Sequence, residues 1–168
     1  MVVRIALGVL ILVVGVAPQA AAQSTIFVVR HAERADSQAA GGSMMKDDPD
    51  LSPAGVRRAK TLAAILRDAE INAIYTSELK RTRQTASPLV TAVGIRMTSV
   101  SADNVAALVQ KVKGETGNVL IVGHSNTVPK ILEALGVAGG VTIKDDEYDN
   151  LFIVLPGTPA QLLRLRIP

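Results

Sequence analysis

The chain has 168 residues, a formal net charge of +3, no cysteine, no tryptophan and 2% aromatic residues. That length fits one domain at roughly 100–200 residues per domain, and the lack of cysteine excludes a disulfide scaffold, a thiol nucleophile and a thiolate metal site. Scarce aromatics and a small charge excess argue against a nucleic-acid partner and leave only a mild preference for anionic ligands.

The first residues have a pattern of their own. Arg4 precedes an apolar run from Ile5 to Ala17, Pro18 breaks that run, and the small residues Ala20-Ala21-Ala22 follow. The run is shorter than the roughly 20 residues of a spanning helix, so residues 1–22 are expected to be a signal peptide cleaved after Ala22. An uncleaved membrane anchor is the alternative. No cysteine follows the run, which excludes a lipoprotein anchor. The expected mature domain is 23–168, exported to the periplasm or beyond, with no stable membrane anchor after cleavage.

Ile26-Phe27-Val28-Val29 reads as a buried parallel strand ending at Arg30-His31. Residues 32–50 are polar, include Gly41-Gly42 and Pro49, and read as loop. Ser52-Pro53 starts a helix, with serine as N-cap and proline in the first turn. Val56, Ala59, Leu62, Ala63, Ile65 and Leu66 continue it at helical spacing. Ile71 to Tyr75 is a second predicted strand. A helix is expected from Leu79 to Val93, with Pro88 kinking it or ending its first half. Ile95 to Val100 is a short predicted strand, and Asp103 is expected to cap a helix reaching Lys113. Asn118 to Val122 is a third strong strand, followed by a helix from Val128 to Leu135 closed by Gly136. Two strands, 151–155 and 162–167, flank a Pro156-Gly157 turn. Alternating strands and helices predict an α/β three-layer sandwich: a mostly parallel central sheet with helices on both faces.

Ligands of such sheets sit beyond the carboxyl ends of the strands. Arg30-His31, Thr76 to Arg83 and Gly123-His124-Ser125 each follow a predicted strand, so they could meet at one edge. The chain has only two histidines, and both fall there. Singly, each reads as an ordinary surface or core histidine; together, with an arginine beside the first, they point to a site. Guanidinium groups bind phosphate in bidentate fashion and stay charged. Their field disfavours protonation of a nearby imidazole, and a neutral imidazole can attack phosphorus. Two arginines and a second histidine could stabilise phosphoryl transfer without a metal or other cofactor.

The same residues carry a family resemblance. Val28-Val29-Arg30-His31-Ala32-Glu33 resembles the Arg-His-Gly/Ala-Glu signature of the histidine phosphatase (phosphoglycerate mutase-like) superfamily. Leu51-Ser52-Pro53-Ala54-Gly55 is similar to its Leu-Thr/Ser-x-x-Gly helix start. The segment Tyr75 to Ala86 is similar to its Ser-x-Leu-x-Arg-x-x-x-Thr-Ala element, and Val122 to Thr127 to its Gly-His-Ser/Asp motif. The match spans nearly all of the mature chain, in the family's order, and looks like the small exported bacterial branch. It implies that His31 is the nucleophile, that Arg30 and Arg81 clamp the phosphoryl group, and that His124 donates to its equatorial oxygens. Arg83 also lies in the motif but reads as a solvated helix arginine.

The general acid is less defined. Ser125 stands where one branch of the family has an aspartate after the second histidine. Asp103 and Glu33 are the candidates, although Glu33 could simply favour a local helix N-terminus. A missing acid would suit good leaving groups, such as phosphorylated histidine or aryl phosphates. Asp47-Asp48 and Asp145-Asp146-Glu147 read as solvated loop, without calcium-loop spacing. Gly41-Gly42 is no phosphate loop, because no lysine–serine pair follows. Tyr148-Asp149-Asn150-Leu151 could line the pocket.

The expectation is an exported, metal-independent phosphomonoesterase with a phosphohistidine intermediate. Its partner would be a small phosphorylated substrate or a phosphorylated envelope component. The alternatives are a non-catalytic module that binds a phosphorylated ligand and a mutase-type phosphotransferase. A two-histidine metal hydrolase lacks a third ligand in the sequence.

Overall fold

Strand β1 (Ile26–Arg30) is buried along its whole length. Its residues alternate between two cores: Ile26 and Val28 face one, Phe27 and Val29 the other. A strand buried on both faces is what an apolar run without polar alternation encodes. The computed structural model describes residues 24–36 and 48–168. The expected signal peptide, Gly41-Gly42 and Asp47 lie outside the described residues.

Helix α1 (Pro53–Leu66) starts where the sequence places it. Ser52 Oγ accepts from the Gly55 amide at 3.1 Å, and the proline sits in the first turn. Gly55, Ala59, Leu62, Ala63 and Leu66 form its buried stripe. Val56 and Ile65, counted in the apolar repeat, are instead 42% and 47% exposed. At 3.6 residues per turn they fall on the two flanks of that stripe, beyond the contact face.

Strand β2 (Ile71–Thr76) leads into α2 (Lys80–Val93), which runs through Pro88 and ends at Gly94 with φ 73°. Proline removes only its own N–H bond to the preceding turn, and buried Ala86 and Leu89 hold both halves on the sheet. Strand β3 (Met97–Ser99) is shorter than expected. Helix α3 (Val105–Lys113) is capped by Asn104, whose Oδ1 accepts from Ala107 N at 3.0 Å, and not by Asp103. Aspartate and asparagine cap equally well; the turn before the helix brings Asn104 to the third amide and leaves Asp103 in solvent. Strand β4 (Asn118–Gly123), α4 (Val128–Ala134), β5 (Asn150–Leu155) and β6 (Gln161–Arg166) complete the chain.

The sheet order is β3-β2-β4-β1-β5-β6. β3, β2, β4 and β1 are parallel; β5 runs antiparallel to β1, and β6 antiparallel to β5. Helices α1 and α2 supply Leu62, Leu66, Ala86 and Leu89 to the core on one face. Helices α3 and α4 supply Leu108, Val112, Ile131 and Leu132 to the core on the other. This is the predicted three-layer α/β sandwich with its sheet mostly parallel. The neighbours β1 and β4 send their following helices to opposite faces, which opens a crevice at their carboxyl ends.

Candidate active site

Strand register makes the pocket. Arg30 pairs with Gly123 across β1 and β4, and Thr76 of β2 pairs with Val122. The next residues, His31, His124 and Ser77, therefore leave adjacent strands at one level. His31 N donates to Gly123 O at 2.9 Å, and the two imidazoles stand 5.3 Å apart between centroids. Arg81 arrives from the first turn of α2. All four predicted site residues are buried: Arg30 7%, His31 4%, Arg81 3% and His124 6% exposed. Arg83 is exposed, as its reading as a solvated helix residue requires.

His31 has a defined tautomer. Its Nδ1 lies 2.8 Å from Ala32 O, and a carbonyl can only accept, so Nδ1 carries the hydrogen. Nε2 is left with its lone pair. Burial, chiefly, and then the neighbouring His124, Arg30 and Arg81 push the ring's pKa down to about 2, against the hydrogen bond to Ala32 O that raises it. The ring is neutral at any ordinary pH, as a nitrogen nucleophile must be. Thr85 holds this turn in place: its Oγ1 accepts from Ala32 N at 2.9 Å and donates to Arg81 O at 2.7 Å.

Arg30 is held by the loop before β5. Its Nη1 donates to the carbonyls of Lys144, Asp145 and Glu147 at 2.9, 3.0 and 3.1 Å. The Tyr148 ring covers the guanidinium at 4.0 Å. The acidic run Asp145-Asp146-Glu147 thus contributes backbone to the pocket, while the Glu147 carboxylate pairs with Arg164 and Arg166. Among the described residues, no three His, Cys, Asp or Glu side chains gather in a group able to hold a metal ion. Burial lowers the pKa of Arg30 and of Arg81, yet both stay cationic.

Asp48 corrects a second loop reading. Its Oδ1 lies 3.5 Å from Arg81 Nη1, and its Oδ2 accepts from Lys80 N at 2.7 Å. It is a partner of the site arginine rather than a free loop carboxylate.

The two candidate acids are placed differently. The Glu33 carboxylate is bound by Arg58 through contacts of 2.7, 3.0 and 3.1 Å, and Arg58 Nη1 also donates to Ile167 O at 2.7 Å. Burial alone would raise the Glu33 pKa, but the Arg58 hydrogen bonds and charge bring it below the usual carboxylate value. Asp103 is exposed in the turn before α3. Neither contacts His31, Arg30, Arg81 or His124 through a hydrogen bond or ion pair.

His124 is reached from β2 and α2. Its Nε2 lies 3.0 Å from Ser77 Oγ, which lies 2.9 Å from Thr82 Oγ1. Burial first, and then Arg81, lower the ring's pKa to about 4, with Glu78 and Asp48 opposing. The sequence reading does not single out Ser77, Thr82 or Thr85, although all three lie inside the segment from Tyr75 to Ala86 that carries the resemblance. Within the pocket, Arg30 Nε, Arg81 Nε and His124 Nδ1 are buried without a protein hydrogen-bond partner. Two cationic side chains with unpaired Nε donors and the bare Nε2 of His31 in one buried pocket match the needs of a phosphoryl group.

Fold and pocket together define an α/β protein with two arginines and two histidines buried at the carboxyl edge of its sheet. Residues 26–104 match the model of the histidine phosphatase superfamily, branch 1. Solved structures share the fold. One is SixA from Agrobacterium tumefaciens, described as a phosphohistidine phosphatase: 20% identity over 84% of this chain and 97% of that one, TM-score 0.62. A phosphoglycerate mutase from Bacillus anthracis matches at 15% identity over 84% of this chain and 92% of its own, TM-score 0.67. A mycobacterial glucosyl-3-phosphoglycerate phosphatase in complex with inorganic phosphate matches at 14% identity, 86% and 97% coverage, TM-score 0.63. No curated protein matches the sequence.

Proposed function

We propose that the protein is an exported, metal-independent phosphomonoesterase that works through a phosphohistidine on His31. The observation that carries this reading is the His31 tautomer. With Nδ1 donating to Ala32 O at 2.8 Å, the only lone pair on the ring is on Nε2, in a pocket flanked by two buried arginines. In the first step Nε2 bonds to phosphorus, and the bond from phosphorus to the leaving oxygen breaks with its electron pair. In the second, water attacks phosphorus and the P–N pair returns to Nε2. Arg30 and Arg81 neutralise charge on the equatorial oxygens throughout.

The substrate would be small, or an accessible phosphorylated group of the cell envelope. Glu33 is engaged by Arg58 and Asp103 stands in solvent, which favours substrates whose leaving group needs little protonation. The likeness to SixA, described as a phosphohistidine phosphatase, is in keeping with that. Export rests on the pattern of residues 1–22 alone.

The test is phosphate release from an aryl phosphate, with chelator present, by the protein and by His31→Ala. Release that disappears in the variant, with an acid-labile phosphate label on wild-type His31, supports the reading. Release that survives the variant overturns the nucleophile, and release abolished by chelator overturns metal independence. Phosphate binding without turnover of any ester would favour the phospho-ligand-binding module. A mature N-terminus at Gln23, read by mass spectrometry of the secreted protein, is the expected result for export.

A further inference from the structure

His124 sits in a hydrogen-bond chain whose direction is set at its far end. Thr82 Oγ1 lies 2.8 Å from Leu79 O and 3.1 Å from Ser77 O. Carbonyl oxygens only accept, so the single hydroxyl hydrogen of Thr82 goes to a carbonyl. The Ser77 hydroxyl, 2.9 Å from Thr82 Oγ1, then donates to Thr82. Its oxygen accepts from the Leu79 amide at 3.3 Å and from His124 Nε2 at 3.0 Å. Nε2 therefore carries the hydrogen of the neutral ring, and Nδ1 is a bare acceptor. That Nδ1 is buried without a protein partner, on a ring that is 6% exposed and 5.3 Å from the nucleophile's ring.

A phosphoryl dianion offers only acceptors. Facing the lone pair of Nδ1, it would be repelled rather than held. The two arginines cannot remove that conflict, because it lies between two acceptors. One proton does.

We propose that Ser77 and Thr82 are positioning residues that fix His124 as its Nε2–H tautomer, so that a phosphoryl dianion is bound only together with one proton, taken up at Nδ1. This rests on the reading of the pocket as a phosphoryl site. The resulting imidazolium donates at both nitrogens, to Ser77 and to the phosphoryl group. The charged groups acting on the ring are Arg81 of α2 and Arg30 of β1, which disfavour its protonation, and Glu78 and Asp48, which favour it. In the absence of anion the arginines and burial keep the ring neutral; the dianion reverses that balance. Phosphate affinity therefore falls as pH rises, by the linkage of one proton to one anion.

The experiment is calorimetry of inorganic phosphate binding at a mildly alkaline pH, in buffers of different ionisation enthalpy, with ring ¹H–¹⁵N correlation spectra of the histidines. The wild type is expected to take up about one proton per phosphate bound. His124 should change from the Nε2–H pattern to the doubly protonated one. Ser77→Ala frees the ring to hold its hydrogen on Nδ1, so uptake should fall toward zero; Ser77→Thr keeps the hydroxyl and should keep the uptake. An Nδ1–H pattern in ligand-free wild type, or phosphate binding without proton uptake, overturns the proposal even if Ser77→Ala fails to fold. Failure to bind any phosphate would instead overturn the functional reading beneath it.

Discussion

The Arg30 guanidinium lies 4.0 Å from the centre of the Tyr148 ring while its Nη1 donates to three carbonyls of one loop, those of Lys144, Asp145 and Glu147. The ring and the loop backbone thus grip one side of the arginine and leave its buried Nε without a protein partner. Removing the ring should loosen that grip. A cation–π contact contributes about 0.5–2 kcal/mol, so Tyr148→Ala should weaken inorganic phosphate binding roughly two- to thirtyfold. Tyr148→Phe keeps the aromatic face and should bind nearly as wild type. Equal losses in both variants would assign the effect to the hydroxyl and not to the ring.

Asp48 competes with an incoming anion for Arg81, which it meets at 3.5 Å. Asp48→Asn removes the negative charge and keeps an acceptor for Lys80 N. The variant should bind inorganic phosphate more tightly, by about 1 kcal/mol or roughly fivefold, as for a charge pair with one partner buried and the other partly exposed. Titration calorimetry reads this directly; weaker binding would mean that Asp48 orients Arg81 more than it blocks it.

The two histidines make stability depend on pH in one direction. Both are held neutral in the fold, with values near 2 for His31 and 4 for His124 against 6.5 when exposed. Below about pH 6.5 the unfolded chain takes up protons that the folded chain refuses, so stability falls with pH. Each ring contributes a slope of about 1.4 kcal/mol per pH unit, His124 down to about pH 4 and His31 down to about pH 2. Urea midpoints across that range should therefore drop more steeply for the wild type than for His31→Ala or His124→Ala. Parallel curves would show that the rings protonate without unfolding.

Gly55 passes under the nucleophile's loop. A Cβ at that position would collide with Glu33 O, while Ser52 N donates to the same carbonyl at 2.9 Å. The obstacle is backbone and cannot rotate aside. Gly55→Ala should cost about 3 kcal/mol, the upper range for overpacking, and should displace the His31 turn. Thermal unfolding and phosphate binding should both suffer; a variant with wild-type melting would mean that the loop at Glu33 yields easily.

Glu33→Gln separates structure from chemistry. The carboxylate binds Arg58 in a pair whose side chains are only 18% and 22% exposed. Losing its charge should lower stability by about 1–3 kcal/mol. Turnover of an aryl phosphate at saturation should change little, because the side chain is engaged by Arg58 of α1 and makes no hydrogen bond to the site residues. A large loss of kcat with unchanged melting would make Glu33 the proton donor after all.

The alternation of apolar strands and helices, the Ser52-Pro53 helix start and the strand-end positions of Arg30, His31 and His124 are written in local sequence. Hydrophobic period, capping chemistry and turn chemistry act over a few residues, so one chain suffices to read them. The choice of Arg81 over Arg83 comes from the resemblance to the family's motif and not from local sequence alone. Other features depend on what each residue meets across the fold. Only the β1–β4 register brings the two imidazoles to 5.3 Å. Only the folded loop turns the backbone of an acidic run toward Arg30, ties Asp48 to Arg81 and Glu33 to Arg58, and sets Asn104 rather than Asp103 at the helix start. The proton positions on His31 and His124 are the furthest from sequence. Each is decided by an acceptor or donor that packing delivers to within hydrogen-bond reach, Ala32 O for one ring and Ser77 Oγ for the other. Local composition named the chemical groups of this site; tertiary contacts decided their protonation and partners, because hydrogen bonds act only at distances that the whole fold sets.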